Sequence, residues 1–96
     1  MMTIRIAENS GSFAENKDVA RTLRLEKIIP TLENGEDVIL DFEGVESATQ
    51  SFVHALVSDL FRRYGNDILE RIKFKSCSGT VQGIIAIVVD YMQESQ

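Results

Sequence analysis

The feature that most constrains this chain is the run Val38-Ile39-Leu40, which ends in Asp41-Phe42 and is followed by Gly44. Successive side chains of a strand point to opposite faces, so three consecutive apolar residues cannot be sorted into one wet and one dry side. Such a run fits a parallel strand covered on both faces, at the centre of an α/β sheet. It predicts a central strand over 37–42, with Ile39 and Phe42 in the core.

Turn residues on either side divide the chain into three βα units. Residues 3–7 alternate and read as a strand with Ile4 and Ile6 on one face. Asn9-Ser10-Gly11-Ser12 is a turn cluster, and Asn16 is placed to cap a helix over 17–33. Val19, Leu23, Leu25, Ile28, Ile29 and Leu32 lie mostly at helical spacing. Pro30 should kink that helix or split off its last turn, and Asn34-Gly35 should stop it. A second helix is expected over 50–64, with Val53, Leu56, Val57, Leu60 and Tyr64 inward and Ser47 or Thr49 as cap. Arg71-Ile72-Lys73-Phe74-Lys75 alternates apolar with cationic, the pattern of an edge strand whose lysines deter further pairing. Thr80 is a candidate cap for a last helix over 80–93, with Val81, Ile84, Ile85, Val88 and Met92 inward. Ile87, Val89 and Tyr91 lie off that stripe, which points to burial on more than one side or to a second chain. The order βαβαβα with short connections implies a small α/β domain with a mostly parallel sheet. Its expected core includes Ile39, Phe42, Val53, Leu56, Leu60, Phe74, Ile85 and Val88.

Length and charge bound the function. At 96 residues the chain is expected to be one domain over 1–96, burying roughly 60–65% of its unfolded surface. Its net charge of −5 and pI of about 4.8 speak against nucleic acid as a partner, since Arg62-Arg63 and Arg71-Lys73-Lys75 are the only dense cationic spots. No apolar stretch approaches a membrane span, the longest candidate being Ile84 to Val89. A single cysteine and the absence of a signal-peptide pattern fit a reducing, cytoplasmic setting.

Few residues are placed for chemistry. Ser51 and His54 stand three apart on the second helix, but no acid is positioned to orient the imidazole. Cys77 lies between a strand and a helix, where a helix N-terminus would favour its thiolate. Gly79 and Gly83 lack the lysine and hydroxyl of a phosphate loop. One His and one Cys make no metal site, and Asp37, Asp41, Glu43 and Glu46 read as solvated strand ends. No cofactor or metal is implied, and no catalytic residue is expected. The alternatives are a small enzyme using Cys77 or Ser51, and a structural subunit that forms a homodimer through the last helix by way of Ile87 or Tyr91.

The segment from Val38 to Val53, an apolar strand ending in Asp-Phe, then Gly-Val, then a Thr-Gln-Ser-Phe helix start, resembles the STAS-like domains of unknown function. The resemblance runs from Ile4 to Tyr91 and includes the stretches Ala20 to Arg24 and Ile84 to Tyr91. That group is similar to the STAS domains of anti-sigma-factor antagonists and of sulfate-transporter tails. In the antagonists an Asp-Ser-Ser-Gly-Leu motif opens a helix, and its second serine is phosphorylated by an anti-sigma kinase. Laid on this chain, the motif falls on Thr49, Gln50, Ser51, Phe52 and Val53, so the phosphorylated serine corresponds to Ser51. Its acid and its glycine are replaced by Thr49 and Phe52. The resemblance implies a regulatory protein-binding module with Ser51 as candidate phosphoacceptor. The contact surface would be formed by Glu46, Ser47, Thr49, Gln50, Ser51 and His54. The implied partner is a histidine-kinase-like ATPase or an anti-sigma-type protein.

Overall fold

Turn chemistry and apolar period together place the elements. The computed structural model describes residues 1–94. Along the chain come β1 (Met2–Arg5), α1 (Ala7–Ser10), β2 (Phe13–Ala14) and α2 (Lys17–Leu23), then a π-helical turn (Arg24–Ile28) and α3 (Ile29–Glu33). After these follow β3 (Val38–Asp41), β4 (Ser47–Ala48), α4 (Gln50–Tyr64), a 3-10 segment (Gly65–Glu70), β5 (Ile72–Lys75) and α5 (Gly79–Glu94). The main sheet is parallel in the order β1-β3-β5, so β3 is central and β5 is an edge, as the apolar patterns predict. A second, two-stranded parallel sheet pairs β2 with β4. Neither its strands nor the single turn of α1 carries an apolar period long enough to read.

Pro30 acts as expected. It has no N–H, and its ring would clash with the carbonyl four residues back. The helix widens just before it into one π turn, in which the Ile29 N–H reaches the Arg24 carbonyl. This re-phasing leaves Leu25 exposed while Ile28, Ile29 and Leu32 stay buried. Asn16 caps the N-terminal end, its Oδ1 accepting from the Asp18 N–H at 2.8 Å. Gly35, at φ 83°, closes the C-terminal end: its N–H reaches the Leu32 carbonyl and that of Glu36 reaches Thr31. That double closure needs a left-handed residue, which glycine supplies without a Cβ penalty.

One expectation fails in an informative way. Across the sheet Ile4, Leu40 and Phe74 are in register on one face, while Thr3, Ile39 and Lys73 are in register on the other. On the second face Thr3, Arg5, Lys73 and Lys75 are exposed and Ile39 is only half-buried. The central strand is therefore not covered on both sides, and Ile39 is not a core residue. The cause is topological. Strands added in one direction by right-handed crossovers put every connecting helix on the same face. Asp41 is the exception on the open face, buried between Arg5 and Lys75 in the ladder.

The core lies under the covered face. It joins Ile4, Val38, Leu40 and Ile72 of the sheet to Phe42, to six apolar residues of α4 and to Val81, Ile85, Val88 and Met92 of α5. Phe42, Val53, Leu56, Leu60, Ile85 and Val88 are buried as expected. Phe74 is only half-buried, because it sits on an edge strand and packs its ring 6.4 Å from that of Phe42 beside an open groove. Tyr64 and Ile84 are likewise half-buried. No helix among the described residues is long and apolar enough to cross a membrane.

Candidate functional site

The entry to α4 is fixed from two sides. The Glu46 N–H donates to the Ser12 carbonyl at 2.8 Å, and that of Thr49 donates to Ala14 at 2.9 Å. Between these bonds Phe13 pairs with Ser47 and Ala14 with Ala48. From the other side the Ser78 hydroxyl donates to the Glu46 carbonyl at 3.2 Å. Thr49 is the helix cap: its Oγ1 accepts from the Phe52 N–H at 3.0 Å. Ser47, the other candidate cap, is committed to β4 instead. At α5 the cap is Ser78, not Thr80, with its Oγ accepting from the Val81 N–H at 3.1 Å.

On this frame the six predicted surface residues come together. Glu46, Gln50 and Ser51 are exposed, and Ser47, Thr49 and His54 are half-buried. Ser51 sits in the first turn of α4, where N–H groups without intrahelical partners and the helix dipole favour an anion. Beside it runs a groove of about 380 Å³ lined by Lys17, Ser51, His54, Ala55, Ile87 and Tyr91, among others. The His54 and Tyr91 rings lie 6.4 Å apart. Sequence reasoning missed that Lys17 and Phe13 belong to this surface. The two-residue strands that bring residues 13–17 beside the start of α4 leave no pattern to read.

The residues considered for catalysis are not assembled. No acid lines the groove that holds Ser51 and His54, and no hydrogen bond joins these two side chains among the described residues. Cys77 opens into a different groove, of about 480 Å³, with Leu69, Phe74, Ile85 and Val89. Its pKa is raised, first by burial and then by the nearby Asp41 carboxylate. That is the reverse of the lowered pKa a helix N-terminus would give a nucleophile. Its thiol instead lies 3.8 Å from the Lys75 carbonyl. The acids Asp37, Asp41, Glu43 and Glu46 share no common partner among the described residues. Asp37 pairs with Arg71 at 3.5 Å, Asp41 accepts from the Glu43 N–H at 2.9 Å, and the Glu46 backbone is held by Ser12 and Ser78. Among the described residues no group of three or more His, Cys, Asp or Glu could hold a metal ion.

No curated protein and no solved structure significantly matches the chain. A family model does. It is described as the STAS-like domain of unknown function (DUF4325), and it matches residues 20–82, a stretch that contains β3, the whole start of α4 and β5. With well over half its length matched and a parallel α/β fold, the chain belongs to this STAS-like family.

Proposed function

We propose that the chain is a non-catalytic regulatory module that docks a protein partner through Glu46, Ser47, Thr49, Gln50, Ser51 and His54, and that phosphorylation of Ser51 switches the contact. The observation that carries this reading is an exposed serine in the first turn of a helix whose entry is pinned from both neighbouring segments. The γ-phosphoryl of ATP would pass to the Ser51 oxygen, the hydroxyl proton would leave to a base of the kinase, and ADP would depart. The phosphate adds about −1.5 to −2 charges. The helix N-terminus lowers its cost to the fold, while the partner meets a new charge beside Glu46. The chemistry of the STAS relatives makes a histidine-kinase-like ATPase or an anti-sigma-type protein the expected partner, in the cytoplasm and without a cofactor on this chain.

The test uses the full chain as bait in lysate from its own source, as wild type, Ser51→Ala and Ser51→Asp, with intact-mass analysis of the protein isolated from that source. Wild type and Ser51→Ala should capture the same ATPase, Ser51→Asp should lose it, and part of the native protein should carry one phosphate at Ser51. Thermal melts should leave Ser51→Asp within about 1 kcal/mol of wild type. Equal capture by all three forms would overturn the switch.

A further inference from the structure

The outer face of α5 carries two large apolar side chains, Ile87 and Tyr91, that the fold leaves exposed. Thr80, Gly83, Ile87, Asp90, Tyr91 and Glu94 are all exposed. They recur every three or four residues, so they share the face opposite the buried Val81, Ile85, Val88 and Met92. Ile87 is 51% and Tyr91 60% exposed, among the highest values for large apolar side chains here. Gly83 lies one turn before Ile87, and a Cβ there would meet nothing.

The charges on this helix are arranged against its own dipole. From Gly79 to Val89 it carries none; Asp90 and Glu94 then fall in its last two turns, with no base in the last turn. The C-terminal end of a helix bears about half a negative charge, so both acids sit where their own helix disfavours them.

We propose that this face pairs with the same face of a second copy, antiparallel, with the two-fold axis at Ile87. Residues 83 and 91 are equidistant from 87, as are 80 and 94. Antiparallel pairing therefore sets each Tyr91 over the gap at Gly83 of the second copy. It sets each Glu94 beside Thr80 of the second copy, at a helix start whose N–H groups favour a carboxylate. Parallel pairing would stack tyrosine on tyrosine and acid on acid. The contact between the His54 and Tyr91 rings places Tyr91 at the seam of α4 and α5 before association. The interface is isologous, so the assembly closes at two copies. The pairing rests on no property of Ser51, although Ile87 and Tyr91 also line the groove beside it.

The test is light scattering on the full chain, with thermal melts alongside. Wild type should reach twice the 10.8 kDa of one chain as concentration rises. Ile87→Lys should weaken association at least about tenfold with an unchanged melt for dilute protein, and Glu94→Lys should weaken it severalfold with a melt for dilute protein no lower than wild type. A short bismaleimide linker, in a Cys77→Ser background, fixes the direction. Ile87→Cys should couple to itself, and Gly83→Cys should couple to Tyr91→Cys but not to itself. A wild type that stays monomeric to about 500 µM, or a dimer indifferent to Ile87→Lys, overturns the proposal. Efficient self-coupling of Gly83→Cys would overturn the antiparallel arrangement.

Discussion

The helices α4 and α5 are nearly equal in length, at 15 and 16 residues, and lie against each other, yet only α5 exposes large apolar side chains. α4 buries Phe52, Val53, Leu56, Val57, Leu60 and Phe61, exposes Gln50 and Ser51 at its start, and ends on Arg62 and Arg63, where cations suit the dipole. α5 buries Val81, Ile85, Val88 and Met92 but leaves Ile87 and Tyr91 in water and ends on acids. Apolar residues on α4 thus go to the core of the chain, whereas on α5 they divide between the core and the exposed face. The largest expected effect follows from that contrast. Leu56→Ala should cost about 2–5 kcal/mol, the range for a fully buried leucine whose cavity cannot collapse. Ile87→Ala, measured by urea unfolding of dilute protein, should stay within about 0.5 kcal/mol of wild type. A loss above about 1 kcal/mol for Ile87→Ala would mean that the outer face of α5 belongs to the monomer fold, and the contrast would break.

What the sequence makes legible follows the same division. α4 is readable because its bounds are set by strong local chemistry, the Thr49 cap and Gly65 at φ 70°, and its apolar stripe has one destination. β3 is readable as a central strand, but its continuous apolarity overstates the cover it receives. Ile39 faces a side of the sheet that the order β1-β3-β5 leaves open, and chain order in space is not written in a run of three residues. At the candidate site, Ser51 and its neighbours are close in sequence and so could be found together. Lys17, Ile87 and Tyr91 reach the same groove only through tertiary packing. Phe13 comes beside Ser47 through a two-residue pairing that no periodicity announces.

The ends of the two helices offer the next, smaller effects. Thr49→Ala removes the hydroxyl that accepts from the Phe52 N–H and should cost about 1 kcal/mol. Ser78→Ala should cost about as much by the cap alone, and more if its second bond, to the Glu46 carbonyl, adds to it. Chemical denaturation of the two variants and their double mutant would show whether the two helix starts are coupled. Additive losses would mean that the Ser78 bond to Glu46 contributes nothing to positioning α4. Glu94→Lys should stabilise dilute protein by about 0.3–1 kcal/mol while weakening self-association, because it suits the dipole of its own helix and removes a partner for the other. A variant that loses both stability and association would contradict the opposition of α5 to its own charges.

The smallest effect separates the two helix starts chemically. Ser51, within α4, faces solvent; Cys77, two residues before α5, is half-buried, and its thiol proton is held more tightly than in an unfolded chain, by burial first and by Asp41 second. The folded state therefore binds more protons than the unfolded state once pH passes the ordinary thiol value of 9.0. This stabilising difference is fully present below that value and is lost to deprotonation as pH rises through the folded-state pKa. Wild type should accordingly lose stability faster than Cys77→Ser on going from about pH 8 to pH 10, with the remaining titrations common to both proteins cancelling in the comparison. Alkylation by iodoacetamide gives the same answer kinetically. Because the thiolate is the reactive species, labelling at about pH 6 should be far slower than at pH 8. Comparable rates at the two values would mean a thiolate stabilised by the α5 N-terminus. That outcome would reverse the contrast between an exposed Ser51 and a withdrawn Cys77, and it would return Cys77 to consideration as a nucleophile.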